Sequence, residues 1–97
     1  MFGMKPFQWS DEKEALLLSH PDRGGIGFAD CAEAILGGGL LATVPNPSAN
    51  HPDQGMYVVN IGGYAYCVPF LETETYIFLK TVYPSRRYRA QYLERRQ

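Results

Sequence analysis

Met56-Tyr57-Val58-Val59-Asn60-Ile61-Gly62-Gly63-Tyr64-Ala65-Tyr66-Cys67-Val68 is the stretch that decides the fold. Two runs rich in β-branched and aromatic residues flank a pair of glycines. That pattern marks a tight hairpin, because the central positions of such a turn favour positive φ. A two-residue turn at Gly62-Gly63 pairs Ile61 with Tyr64 and Val59 with Tyr66. The strands are expected over Met56–Ile61 and Tyr64–Leu71, with a second turn at Glu72–Thr75 and a further strand over Tyr76–Tyr83.

If that second turn is two residues at Thr73-Glu74, Val68 stands opposite Leu79. One sheet face then carries Tyr57, Val59, Ile61, Tyr66, Val68, Phe70, Ile77 and Leu79, and is expected to pack on helices. The other carries Val58, Asn60, Cys67, Phe78 and Lys80, a mixed face expected to be partly open. Pro69 has no ladder donor and implies an edge position or a bulge.

Upstream, Leu40–Val44 reads as a short strand closed by Pro45-Asn46-Pro47, and Asn46–Gly55 reads as a loop. Before it, Phe28, Cys31, Ala32, Ile35 and Leu36 repeat at the spacing of one buried helix face, so a helix is expected over 28–36, ended by Gly37-Gly38-Gly39. A first helix runs from Asp11 to about Ser19, with Ser10 as its cap and acids in its first turn. His20 to Gly25, holding a proline and paired glycines, is a loop. After Pro84, Ser85 can cap a last helix from Arg86 to about Arg96, with Tyr88 and Tyr92 on its inward side. The order predicts an α+β domain: two N-terminal helices, an antiparallel meander of three to four strands, and a C-terminal helix.

The 97 residues fit one domain, 45% hydrophobic and 20% charged, in the range of globular chains. No apolar run approaches the ~18 residues a spanning helix needs, and the start lacks an apolar signal core. The chain is therefore expected to be cytoplasmic, with no membrane partner. Cys31 and Cys67 are read as buried thiols of a reducing compartment, with a disulfide between them left open.

The net charge of −1 hides a strong polarity. Residues 1–79 carry three Lys or Arg against nine Asp or Glu; residues 80–97 carry six against one. The basic residues are Lys80, Arg86, Arg87, Arg89, Arg95 and Arg96. This end is suited to an anionic partner, nucleic acid or acidic protein, or is a solvated basic helix balancing its own acidic domain.

No P-loop, GxGxxG, HExxH or GxSxG is present. His20 and His51 sit in separate polar loops without the company a metal site needs. His51 has the better case, as a base or phosphate contact beside the sheet. Lys80 stands inside the apolar run Ile77-Phe78-Leu79-Lys80-Thr81, where a lysine either serves a function or snorkels from a half-open face. Arg86 and Arg87 follow Tyr83-Pro84-Ser85, and their forked donors match phosphate oxygens. Glu72 and Glu74 are read as solvated.

Taken together, these segments resemble the BrnT branch of the RelE-like toxins. The resemblance is carried by Phe7-Gln8-Trp9-Ser10 leading into Glu12-Lys13, an aromatic strand before a helix. It continues through Gly25-Ile26-Gly27-Phe28 with Ala32-Glu33, where Gly27 replaces the commoner Ser or Thr. His51-Pro52 through Val58-Val59, Tyr64 to Phe70, Phe78-Leu79-Lys80-Thr81 and Pro84-Ser85-Arg86-Arg87 complete it.

The resemblance implies a RelE-like fold and a metal-independent, cofactor-free endoribonuclease that inhibits translation. It also implies a small antitoxin of ribbon-helix-helix type as partner, and RNA, free or ribosome-bound, as substrate. The catalytic roles it implies fall on Lys80, Arg86 and Arg87, with His51 and Tyr83 for proton transfer; Arg89, Arg95 and Arg96 would extend the RNA-binding surface. The alternative is a non-catalytic module of the same fold that acts through its partner.

Overall fold

The computed structural model describes residues 5–20, 25–45 and 54–94. The central hairpin forms as the glycines demand. β3 (Gly55–Ile61) and β4 (Tyr64–Glu72) pair antiparallel with Ile61 opposite Tyr64 and Val59 opposite Tyr66. Gly62 and Gly63 take φ of 62° and 87°, left-handed values that cost a Cβ-bearing residue steric energy.

Around this hairpin lies a six-stranded sheet. Its path is β1 (Phe7–Gln8), β5 (Ile77–Leu79), β4, β3 and β2 (Leu40–Pro45), and β6 (Tyr83–Pro84) also pairs with β4. The sheet is mixed, because β1 runs parallel to β5. This corrects the expected antiparallel meander of three to four strands. A two-residue strand leaves no periodic trace in a sequence, and its partner lies about 70 positions away.

The turn after β4 is also longer than expected. Thr73 closes it: its N–H and hydroxyl both donate to the Tyr76 carbonyl, and its hydroxyl accepts from Tyr76 N–H. Leu79 therefore stands opposite Phe70, not Val68. The slip is two residues, so every side chain keeps its face. Tyr57, Val59, Tyr66, Val68, Phe70, Ile77 and Leu79 all enter the core, with Ile61 packed against it.

A serine cap starts the first helix, and an apolar face shapes the second. Ser10 accepts from Lys13 N–H to start α1 (Asp11–Leu18), and α2 spans Phe28–Leu36. Leu17 from α1 and Phe28, Cys31 and Ile35 from α2 fill the core against the sheet. Trp9 stacks on Phe28 at 5.9 Å, joining the chain before α1 to α2.

The opposite sheet face is mixed, as expected: Val58 and Cys67 are buried, Asn60 and Phe78 half-buried and Lys80 exposed. Met56 and Ala65 are also buried there. Tyr83 donates its hydroxyl to Met56 Sδ at 3.4 Å, and Ser85 and Tyr83 both bond the Cys67 thiol. The helix after them, α3 (Arg86–Tyr92), is capped by Ser85 and packs against β4. It is shorter than expected, turning off at Leu93. Cys31 and Cys67 are free and buried in different places, one in the helix-side core and one under Ser85.

Candidate functional site

The basic residues hang from one edge of β4. Its C-terminal half pairs with β5 and its N-terminal half with β6, so the segment 77–84 runs along a single strand edge. That segment is broken in the middle. Leu79 lies opposite Phe70 and Tyr83 opposite Cys67, so Lys80, Thr81 and Val82 face only Val68 and Pro69. One residue too many makes a bulge. It falls where Pro69 supplies a carbonyl to Lys80 N–H (2.8 Å) and has no N–H of its own to give.

The bulge turns Lys80 out while Leu79 and Val82 stay buried. From Lys80, beside Pro69, to Pro84, opposite Tyr66, the edge advances three rungs of β4, roughly 10 Å at the rise of a strand. Arg86 and Arg87 follow directly and are exposed. The Arg87 guanidinium lies 5.5 Å from the Tyr88 ring centroid. Among the described residues no acid pairs with Lys80, Arg86 or Arg87.

Arg89 is different. It is paired with Glu94, its guanidinium covers the Tyr64 ring at 5.1 Å, and its buried Nε has no partner among the described residues. It works as a brace between α3 and the hairpin. His51, Arg95 and Arg96 lie outside the described residues.

Tyr83 is half-buried between Cys67 and Met56. Burial, with the Cys67 thiol beside it, raises its phenol above the ordinary value. It is therefore neutral at pH 7, with its hydroxyl donated to Met56 Sδ.

A second feature was not anticipated from the sequence. β1 covers β5 only at Ile77 and Phe78; the chain then departs through Trp9 and Ser10 into α1. This leaves an open groove of about 520 Å³ beside the end of β5, lined by Ser10, by Glu12, Lys13, Ala15 and Leu16 of α1, and by Phe78, Leu79 and Lys80. Lys80 therefore opens onto α1, and no arginine lines the groove. The signal for it was Leu16-Leu17-Leu18: at 100° per residue, three successive leucines cannot all face one core. Only Leu17 is buried; Leu16 is 58% exposed.

Glu72 is not merely solvated, since Lys5 binds its carboxylate at 2.7 Å and also donates to Thr73 O. Tyr88 and Tyr92 stack at 6.0 Å and are half-buried, as their spacing implied. Among the described residues no three His, Cys, Asp or Glu side chains converge as metal ligands. No described helix is long and apolar enough to cross a membrane. No family model, no curated relative and no solved structure matches this chain.

Proposed function

We propose that this chain is the toxin component of a toxin–antitoxin pair: a RelE-like, metal-independent endoribonuclease of the cytoplasm, restrained by a small ribbon-helix-helix antitoxin. The observation that carries the reading is the set of three exposed cations, Lys80 after β5 and Arg86 and Arg87 at the start of α3, without acid partners among the described residues. Charges left free of their own protein's acids remain available to an external anion.

In this reading the RNA 2′-hydroxyl attacks the adjacent phosphorus and the 5′-oxygen of the next nucleotide leaves. Arg86 and Arg87 hold the non-bridging oxygens, where forked donors stabilise the charge that builds up in the transition state. Lys80 adds a point charge from further along the edge. Tyr83, a phenol protonated at neutral pH, is assigned donation to the leaving oxygen. His51 is assigned the base, and Arg95 and Arg96 contacts further along the RNA, while Arg89, held by Glu94 and Tyr64, braces α3 behind them.

Expression of the chain alone in bacteria is expected to arrest growth. Arg86→Ala and Lys80→Ala are each expected to relieve the arrest and to lower RNA cleavage by about 10²-fold. Normal growth with abundant folded protein, together with intact RNA with or without ribosomes, counts against the enzyme.

A second reading, a non-catalytic binding module, draws on a specific observation: Lys80 borders an apolar groove whose lining contains no arginine. Tight binding to a partner protein with RNA left intact would favour it.

A further inference from the structure

We propose that the groove between α1 and the end of β5 is a docking site for an acidic, amphipathic segment of a partner protein. Its floor is apolar: Ala15 and Leu16 from α1 and Phe78 from β5. Leu16 is more than half exposed, on a helix whose neighbouring Leu17 already serves the core. A large aliphatic side chain held open beside an aromatic one is the usual floor of a site that receives apolar anchors.

The rim sets the charge of the occupant. Lys13 and Lys80 stand on opposite walls, one from the helix and one from the bulge, and Glu12 is the single acid among the lining residues. Neither lysine has an acid partner among the described residues. A segment presenting leucine-like anchors flanked by carboxylates satisfies both walls, whereas a cationic segment meets two ammonium groups. A volume of about 520 Å³ takes a few side chains, in keeping with one turn or two of a bound segment and not a folded domain.

The groove differs from the arginine-bearing end of the same edge in having an apolar floor, which suits side chains and not a phosphodiester. The two places share Lys80. An occupied groove therefore withdraws Lys80 from any other anion. The consequence for RNA rests on the proposed ribonuclease reading; the peptide site stands on the groove alone.

The test is an NMR titration of the full chain with a synthetic amphipathic helical peptide of leucine and glutamate, its lysine-for-glutamate counterpart, and a single-stranded uridine oligonucleotide. The glutamate peptide is expected to shift the amides of Leu16, Phe78 and Lys80. Lys13→Glu with Lys80→Glu, and separately Leu16→Asp, are each expected to weaken it by about tenfold or more, and the charge reversal to favour the lysine peptide. Leu16 is exposed, so Leu16→Asp should keep the unfolding midpoint of the parent.

Shifts that map elsewhere, equal binding of the two peptides, or preferential occupation by the oligonucleotide would overturn the proposal. Peptide binding by a chain that neither arrests growth nor cuts RNA removes only the enzymatic reading. A toxic chain whose groove ignores the glutamate peptide removes only this one.

Discussion

Gly27 begins α2 with no side chain to accept from the helix's first amides, and Glu14 reaches across from α1 to do so. Its carboxylate takes Phe28 N–H at 2.6 Å and Ala29 N–H at 3.2 Å, while Asp30 accepts from Gly27 N–H. The arrangement excludes the usual cap: a Cβ at Gly27 would sit 2.5 Å from Glu14 Oε1. Two helices are thereby tied by one carboxylate at a helix N-terminus, where negative charge is favoured. Glu14→Ala is expected to cost about 1–2 kcal/mol in urea unfolding. Gly27→Ser should also destabilise the parent chain, yet partly restore the Glu14→Ala variant by capping α2 from its own position. A double-mutant cycle with no coupling would refute this pairing. Gly27 was visible in the sequence as a departure from the commoner Ser or Thr, but its compensation was not. Glu14 lies in another helix, and which acid meets which amide is decided by how the helices cross.

At the scale of elements, period and punctuation were enough for most of the fold. α2, β2, β3 and β4 fall within a residue of their expected bounds, because apolar spacing and glycine turns are local signals. The inward face of the sheet was also legible, since a two-residue error in register leaves the alternation intact. What stayed hidden depends on distant partners: β1, which forms against β5, and the split of the last strand at Lys80–Val82. Pro69 signalled an irregularity, and the bulge lies on the strand beside it. For the candidate site, the exposure of Lys80, Arg86 and Arg87 agrees with their charge, whereas the groove required knowing where β1 leaves the sheet. A different strand-to-strand contact supports a further prediction. Gly55 lies opposite Phe70, whose ring covers it; an added Cβ would come within 2.5 Å of that ring. The ring cannot retreat easily, being stacked on Tyr57 at 4.1 Å. Gly55→Ala is therefore expected to lower stability by about 1–3 kcal/mol, seen as a lower urea midpoint at unchanged slope. An unaltered midpoint would show that Phe70 repacks freely.

For the molecule as a whole, the buried thiol of Cys31 links folding to alkaline pH. Burial, reinforced by Asp30 and Glu14, pushes it from 9.0 up to about 12. Between those values the unfolded chain has released a proton that the folded chain retains. Stability is thus intact below about pH 9 and declines as pH rises, by up to about 1.4 kcal/mol per unit. Tyr57, Tyr66 and Tyr83, all raised by burial, add in the same sense above pH 10. Unfolding free energies measured from pH 8 to 11 should fall along this course. Cys31→Ala should be less stable at pH 8 and should show a shallower decline; parallel curves would exclude the thiol as the cause. The pairing of β1 with β5 has its own consequence for synthesis. Phe7 and Gln8 are synthesised some seventy residues before the strand that receives them, Ile77–Leu79. The nascent chain must hold Phe7 and Gln8 in waiting until those seventy have been added, so closure of this edge of the sheet awaits β5, and a polypeptide cut short before Ile77 has no strand on which to seat them.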